Sequence, residues 1–299
     1  HRMTTSSDRG YPKITHGLKE RDAHLDDLGL GHHVLELERW GYTVVPDVIG
    51  PEIVKVLAEE LCALAANDGG TPVDRSTGAS HQDRTQEVVL LFARGSERMR
   101  QLVANDRTLA LVRYLLGESC VLSSCTGYVK GPGRCELRVH SDTAYVPDPL
   151  PPYAQLANVN VLLTDYTADA GPLTMVPGSH RYCHRPRERH GAREAVPVLA
   201  RAGSAVVFHG NTWHGALPRE ASGVRLTLSL LYARLYMRTQ EDYAAAMAAD
   251  DVATLPPVLR DLVVPALPTG WASLDEASAM VARRRDDGAR WYRTRATHV

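Results

Sequence analysis

His140 and Asp142 stand two positions apart in the run Val139 to Thr143. On an extended strand, residues i and i+2 project to the same side, so one imidazole and one carboxylate would lie a few ångströms apart. That pair suits a divalent metal, although H-x-D arises by chance and a hydrogen-bonded surface pair is its ordinary use. A second histidine raises the metal reading. The segment from Ala202 to Gly215 reads as a strand, a turn, and then His214 followed by glycine. Eleven positions later Arg225 opens a strictly alternating strand. Leu226, Leu228 and Leu230 take one face, and Arg225, Thr227 and Ser229 the other. Two histidines and a carboxylate form the ligand set used for non-haem Fe(II), which leaves three coordination positions open. The planar fork of an arginine beside it would hold a carboxylate bidentately. Metal, two-electron chemistry and a dicarboxylate cosubstrate then fit together.

These residues need strands to carry them, and the chain supplies the pattern from residue 119 onward. Short β-branched or alternating runs at 119–130, 136–142, 156–163, 172–176, 204–209 and 224–235 are separated by Gly and Pro. Such spacing predicts an antiparallel sandwich or barrel rather than βαβ units. Helices are expected first: His33 to Trp40, then a strand from Gly41 to Pro46. A helix over 51–66 has Pro51 in its first turn, and one or two helices over 97–116 end at Gly117. Residues 67–84 read as a polar loop. His1-Arg2 ahead of Met3 reads as an expression scar, and 3–30 as a loosely attached N-terminal arm. Residues 31–238 form the expected catalytic domain, with its β core at about 119–236. Residues 239–299 are a helical C-terminal extension packed on that core.

Composition excludes several classes. Of 299 residues 44% are hydrophobic and 23% charged, with a net charge of -1. No global basic field favours nucleic acid or an anionic membrane. No apolar run approaches the roughly 20 residues that span a bilayer. Five cysteines without a C-x-x-C pair fit neither a disulfide framework nor a zinc cluster, and read as free thiols of a cytoplasmic protein. Four lysines (Lys13, Lys19, Lys55, Lys130) stand against thirty arginines, a bias that reads as GC-rich coding rather than function.

Four segments together resemble the phytanoyl-CoA dioxygenase family of Fe(II)/2-oxoglutarate oxygenases. They are Glu38 to Pro46 with the helix after Pro51, His140-Ser-Asp142, Asp169 to Arg181 with its Pro-Gly-Ser-His180 turn, and Gly203 to Arg225. The resemblance implies a mainly β fold with flanking helices (α+β), its core a double-stranded β-helix or cupin-like jelly roll. It implies Fe(II) on His140, Asp142 and His214, with 2-oxoglutarate and O2 as cosubstrates. Arg225 would pair with the distal carboxylate of 2-oxoglutarate. Thr174 and Asn160 fall in segments that line the family's pocket, and Thr227 shares the face of Arg225. Arg138 departs from the glutamine of some relatives, and would hold the proximal carboxylate or a substrate anion. The expected reaction is hydroxylation, or another outcome such as desaturation, epimerisation or cyclisation, at an unactivated C–H in a small molecule of secondary metabolism. Chlorination is disfavoured, because the family's halogenases lack the carboxylate that Asp142 supplies.

The remaining histidines have plainer readings. His209 reads as a hydrogen-bonded strand end, His180 as fixing its loop, and His32, His33, His184 and His190 as surface residues. Trp213 reads as packing rather than a radical site, Tyr145 as pocket wall or packing, and the charge-dense stretch from Arg181 to Arg193 as a solvated loop or a lid. Two other classes share the fold: a cupin-type metal enzyme that does not use 2-oxoglutarate, and a non-catalytic ligand-binding protein. Oligomeric state leaves no signal in the sequence.

Overall fold

The computed structural model describes residues 14–187, 191–264 and 273–279. The expected strands are present: β3 (Val121–Lys130), β4 (Leu137–His140), β5 (Leu156–Leu162), β6 (Leu173–Met175), β8 (Ala205–His209) and β10 (Arg225–Ala233). With β1 (Tyr42–Val45), β2 (Thr85–Val88), β7 (Val196–Pro197) and β9 (His214–Ala216) they make two antiparallel sheets. The larger sheet runs β1-β8-β5-β10-β3-β2, and the smaller β4-β9-β6-β7. Two facing antiparallel sheets connected in this order are the expected jelly roll, and the class is α+β.

β10 shows how the pattern becomes architecture. Leu226, Leu228, Leu230 and Tyr232 are fully buried on the outer face, where they join the helices in one apolar cluster. Arg225, Thr227 and Ser229 face the smaller sheet. Burying each leucine is worth roughly 1.5–3 kcal/mol over leaving it exposed. A slip of one residue would turn the leucines into the polar interior and drive Arg225 into the helical layer, so the register is pinned.

Helices cover that outer face. α1 (Ile14–Asp27), α2 (Gly31–Trp40), α3 (Pro51–Gly69), α4 (Leu91–Arg94), α5 (Glu97–Val103) and α6 (Asp106–Leu116) precede the core. α7 (Tyr243–Ala246), α8 (Ala249–Thr254) and α9 (Pro257–Val263) follow it. Ser96 and Asn105 cap α5 and α6, accepting from Met99 and Thr108 backbone N–H groups. Residues 14–27, expected within a loose arm, instead form a helix whose Leu25 is buried in the main cluster. The C-terminal segment is tied down by buried Glu241, whose carboxylate accepts from Leu90 N, Cys125 N and Tyr243 Oη. Its parts at 265–272 and 280–299, and residues 1–13 of the expected arm, lie outside the described residues. Among the described residues, no helix is long and apolar enough to cross a membrane.

Gly41 links α2 to β1 with φ 81, a left-handed conformation that glycine adopts without steric cost. A Cβ there would lie 2.5 Å from both His180 Nδ1 and Thr212 Oγ1. Glycine therefore lets the α2–β1 corner seat against the Pro-Gly-Ser-His loop beside the site.

Candidate metal centre

β4 and β9 are neighbours, and their register sets His140 directly opposite His214. Asp142 follows as the chain leaves β4, its N–H donating to Gly210 O at 3.1 Å. Each imidazole is held from behind. His140 Nδ1 lies 2.9 Å from Arg138 O, and His214 Nδ1 lies 2.9 Å from Thr212 O. A carbonyl only accepts, so both Nδ1 atoms carry the proton and both Nε2 lone pairs are left for the site. Asp142 Oδ1 lies 3.5 Å from His214 Nε2 and 3.9 Å from His140 Nε2. One ligand atom from each residue falls within 4.8 Å of the others. His214 is buried against Phe208, with ring centroids 4.7 Å apart. Burial lowers its pKa, Asp142 raises it and His140 lowers it further, the net shift being downward and favouring the neutral ligand form.

The inner face of the larger sheet completes the surroundings. Asn158 Nδ2 donates to Asp142 Oδ2 at 3.1 Å, and Ser229 Oγ donates to Asn158 Oδ1 at 2.9 Å. Further along β10, the Arg225 guanidinium lies 5.1 Å from the Tyr166 ring centroid and donates to Gly171 O. Tyr166 Oη and Thr227 Oγ1 share a 2.6 Å hydrogen bond. Lys130 pairs with Arg225 across β3 and β10, and its Nζ donates to Leu217 O at 2.5 Å. Lys130 is 1% exposed and Arg225 6%, and no carboxylate among the described residues forms an ion pair with either. Burial, reinforced by the charge of Arg225, brings the Lys130 ammonium down to about 8. The Tyr128 hydroxyl feels both ends of the site. Burial raises it first, Glu87 and Asp142 add to the rise, and Arg225 opposes it.

The residues singled out from the sequence distribute unevenly. His140, Asp142 and His214 converge, and Arg225 is buried on the inner face. Asn160 is buried opposite Ser229, and Thr174 is buried opposite Gly215, next to the Met175–His214 pair. Thr227 meets Tyr166, while Arg138 is exposed on β4 with its carbonyl turned to His140. His33, expected at the surface, is buried, because its Nδ1 reaches Thr43 Oγ1 at 2.7 Å and its ring packs under β1. His180 fixes the Pro-Gly-Ser-His loop by a hydrogen bond to the Glu38 backbone, as expected, and Ser179 ties it a second time. Its hydroxyl donates to Val176 O and accepts from Trp213 N. His209 ends β8 as expected, with Nδ1 accepting from Asn211 N. Tyr145 is 89% exposed and His190 lies outside the described residues. Sequence reasoning missed Lys130, Asn158 and Tyr166. The first had a signal as the one charged residue of the 119–130 run, next to no acid in sequence, the second in sharing a strand face with Asn160.

Two imidazoles and one carboxylate between antiparallel sheets, with a buried arginine that forms no ion pair among the described residues on the same inner face, define the class of non-haem iron oxygenases built on a jelly roll. The chain belongs to the phytanoyl-CoA dioxygenase (PhyH) family, whose sequence profile matches residues 37–227. Within that class it is similar to the ectoine dioxygenase of Halomonas elongata, 30% identical over 240 residues that cover 70% of this chain and 71% of that one. An uncharacterized protein of Mycobacterium tuberculosis is 30% identical over 146 residues, 46% of this chain and 52% of the relative. The chain thus matches about half the length of that relative. Among solved structures, the non-haem α-ketoglutarate-dependent epimerase SnoN of nogalamycin biosynthesis aligns with a TM-score of 0.55 at 25% identity, over 70% of this chain and 84% of that one.

Proposed function

We propose that the protein is an Fe(II)/2-oxoglutarate-dependent dioxygenase that oxidises an unactivated C–H bond of a small molecule in secondary metabolism. The observation that carries this reading is the pairing of a convergent His140–Asp142–His214 set with two buried cations, Arg225 and Lys130, that form no ion pair among the described residues. The donor set fits a divalent iron: both Nδ1 atoms are committed to carbonyls, so two Nε2 lone pairs and one carboxylate oxygen meet. The cation pocket fits a carboxylate. Arg225 Nε is buried with no hydrogen-bond partner among the described residues, and Lys130 lies beside it. A buried donor without a partner costs about 1–3 kcal/mol, which an incoming carboxylate would remove.

When bound, iron and 2-oxoglutarate supply the two-electron oxidation of substrate by O2, with 2-oxoglutarate leaving as succinate and CO2. The protein's own residues do the rest. His140, Asp142 and His214 would hold the metal, and Arg225 with Lys130 would hold the far carboxylate, its orientation steadied by Tyr166 and Thr227. Asn160 and Thr174, both buried, would contact the cosubstrate. The apolar cluster of Leu162, Met175, Val206 and Phe208 beside His214 limits water on that side. The five unpaired cysteines fit a reducing compartment, the cytoplasm.

Hydroxylation is the default outcome, and the likeness to an epimerase marks a second one. A hydroxylated product carries an oxygen atom from O2, whereas an epimer carries none, so ¹⁸O2 labelling separates them. Metal-free protein is titrated with Fe(II) and assayed for succinate. Wild type should bind iron and form succinate from 2-oxoglutarate. His214→Ala should lose both while melting normally, and wild-type turnover in that variant would end the assignment. Iron binding without any response to 2-oxoglutarate would favour the cupin-type enzyme instead.

A further inference from the structure

We infer that Asn158 is a positioning residue that decides which oxygen of Asp142 faces the metal; this rests on the metal reading of His140, Asp142 and His214. The two carboxylate oxygens are not equivalent. Oδ1 faces both histidines, at 3.5 and 3.9 Å from their Nε2 atoms. Oδ2 is turned away and accepts from Asn158 Nδ2 at 3.1 Å. The amide cannot be reversed without cost, because an ionised carboxylate only accepts and would meet the amide oxygen instead. Ser229 Oγ fixes the other end of the amide by donating to its Oδ1 at 2.9 Å. Asn158 and Ser229 are both buried, and their strands are paired residue by residue, so the relay stands on rigid backbone.

The chemical consequence concerns coordination number. With Oδ2 engaged by an N–H, Asp142 offers the metal one oxygen. Without that bond, the carboxylate can turn and present both oxygens, taking up a position that a chelating cosubstrate needs. Partners of this kind around metal ligands typically change metal affinity 10- to 100-fold when removed.

The test uses Asn158→Leu, which keeps the bulk and removes the donor, and Ser229→Ala, which keeps the donor and releases its orientation. Metal-free protein is titrated with Co(II), and the anaerobic Fe(II) protein with 2-oxoglutarate, following the charge-transfer band. Asn158→Leu should weaken Co(II) binding 10- to 100-fold and shift the 2-oxoglutarate band, with Ser229→Ala moving both less in the same direction. A folded Asn158→Leu protein with wild-type Co(II) affinity and an unmoved band overturns the inference. Should that variant melt early, Ser229→Ala decides alone: a shifted band supports the relay and an unchanged band and affinity overturn it. Failure of the metal reading looks different. Wild type and His214→Ala would then bind Co(II) equally, whatever stands at position 158.

Discussion

Lys130→Met should weaken 2-oxoglutarate binding and stabilise the protein at once. The ammonium is buried beside Arg225 without an ion pair among the described residues, and its Nζ reaches only the Leu217 carbonyl among its described hydrogen bonds. Losing one partner of a buried charge pair costs about 2–5 kcal/mol. Arg225 remains in this variant, so the low end applies, about 2 kcal/mol or roughly 30-fold in dissociation constant. Stability moves the other way. Burial lowers the Lys130 pKa from 10.5 to about 8, and each unit is about 1.4 kcal/mol, which bounds the penalty of the charged amine near 3 kcal/mol. Losing the bond to Leu217 returns about 1 kcal/mol, leaving a net gain of about 1–2 kcal/mol. A folded pKa below the unfolded value means the penalty is complete below pH 8, fades between 8 and 10.5, and is absent above. The gain should therefore be present at pH 7, as a rise of about 2 °C in melting temperature, and gone by pH 10.5. Anaerobic titration of the Fe(II) protein with 2-oxoglutarate and thermal unfolding at the two pH values measure both effects. An unchanged 2-oxoglutarate titration would refute the idea that this cation pair holds the carboxylate, whatever happens to stability.

Arg225→Ala should raise the 2-oxoglutarate dissociation constant by roughly 30-fold to several thousand-fold with Co(II) affinity little changed, and Arg225→Lys should recover only part, since a point charge lacks the fork. An unchanged titration in Arg225→Ala would put the distal carboxylate elsewhere. Acid should destabilise the fold through His209, whose pKa burial pushes from 6.5 down to about 3, with His180 and Arg234 adding to the shift. The unfolded chain takes up that proton first, so stability is complete above pH 6.5 and falls as pH drops, by about 2 kcal/mol at pH 5 from this residue. Denaturant unfolding of wild type and His209→Gln at pH 7 and pH 5 checks it, and equal losses in both proteins would contradict the assignment.

Much of the site was legible because its signals are local. H-x-D spacing and the alternation after Arg225 each act through the backbone of a few consecutive residues, and the structure keeps both, with Asp142 just past the end of β4, whereas Gly41, expected to open the strand, caps α2 in a left-handed conformation instead. The strand runs after residue 119 were legible for the same reason: a half-polar, half-apolar face shows in a period of two. β2, β7 and the helix at residues 14–27 were not read, since β2 has Val88 as its one apolar residue, β7 is two residues long, and a helix with a weak apolar stripe is held by what it packs on. The partners of the site residues belong to another category. Asn158 meets Asp142 across 16 positions, Thr227 meets Tyr166 across 61, and Ser229 meets Asn158 across 71. Lys130 became part of the site only when β3 folded alongside β10. Residue types and spacing along the chain determined which ligands and which arginine could act. Burial, the lack of an ion pair to Lys130 or Arg225 among the described residues, and the choice between two carboxylate oxygens depend on what lies a few ångströms away across the sheets, and only the tertiary structure decided those.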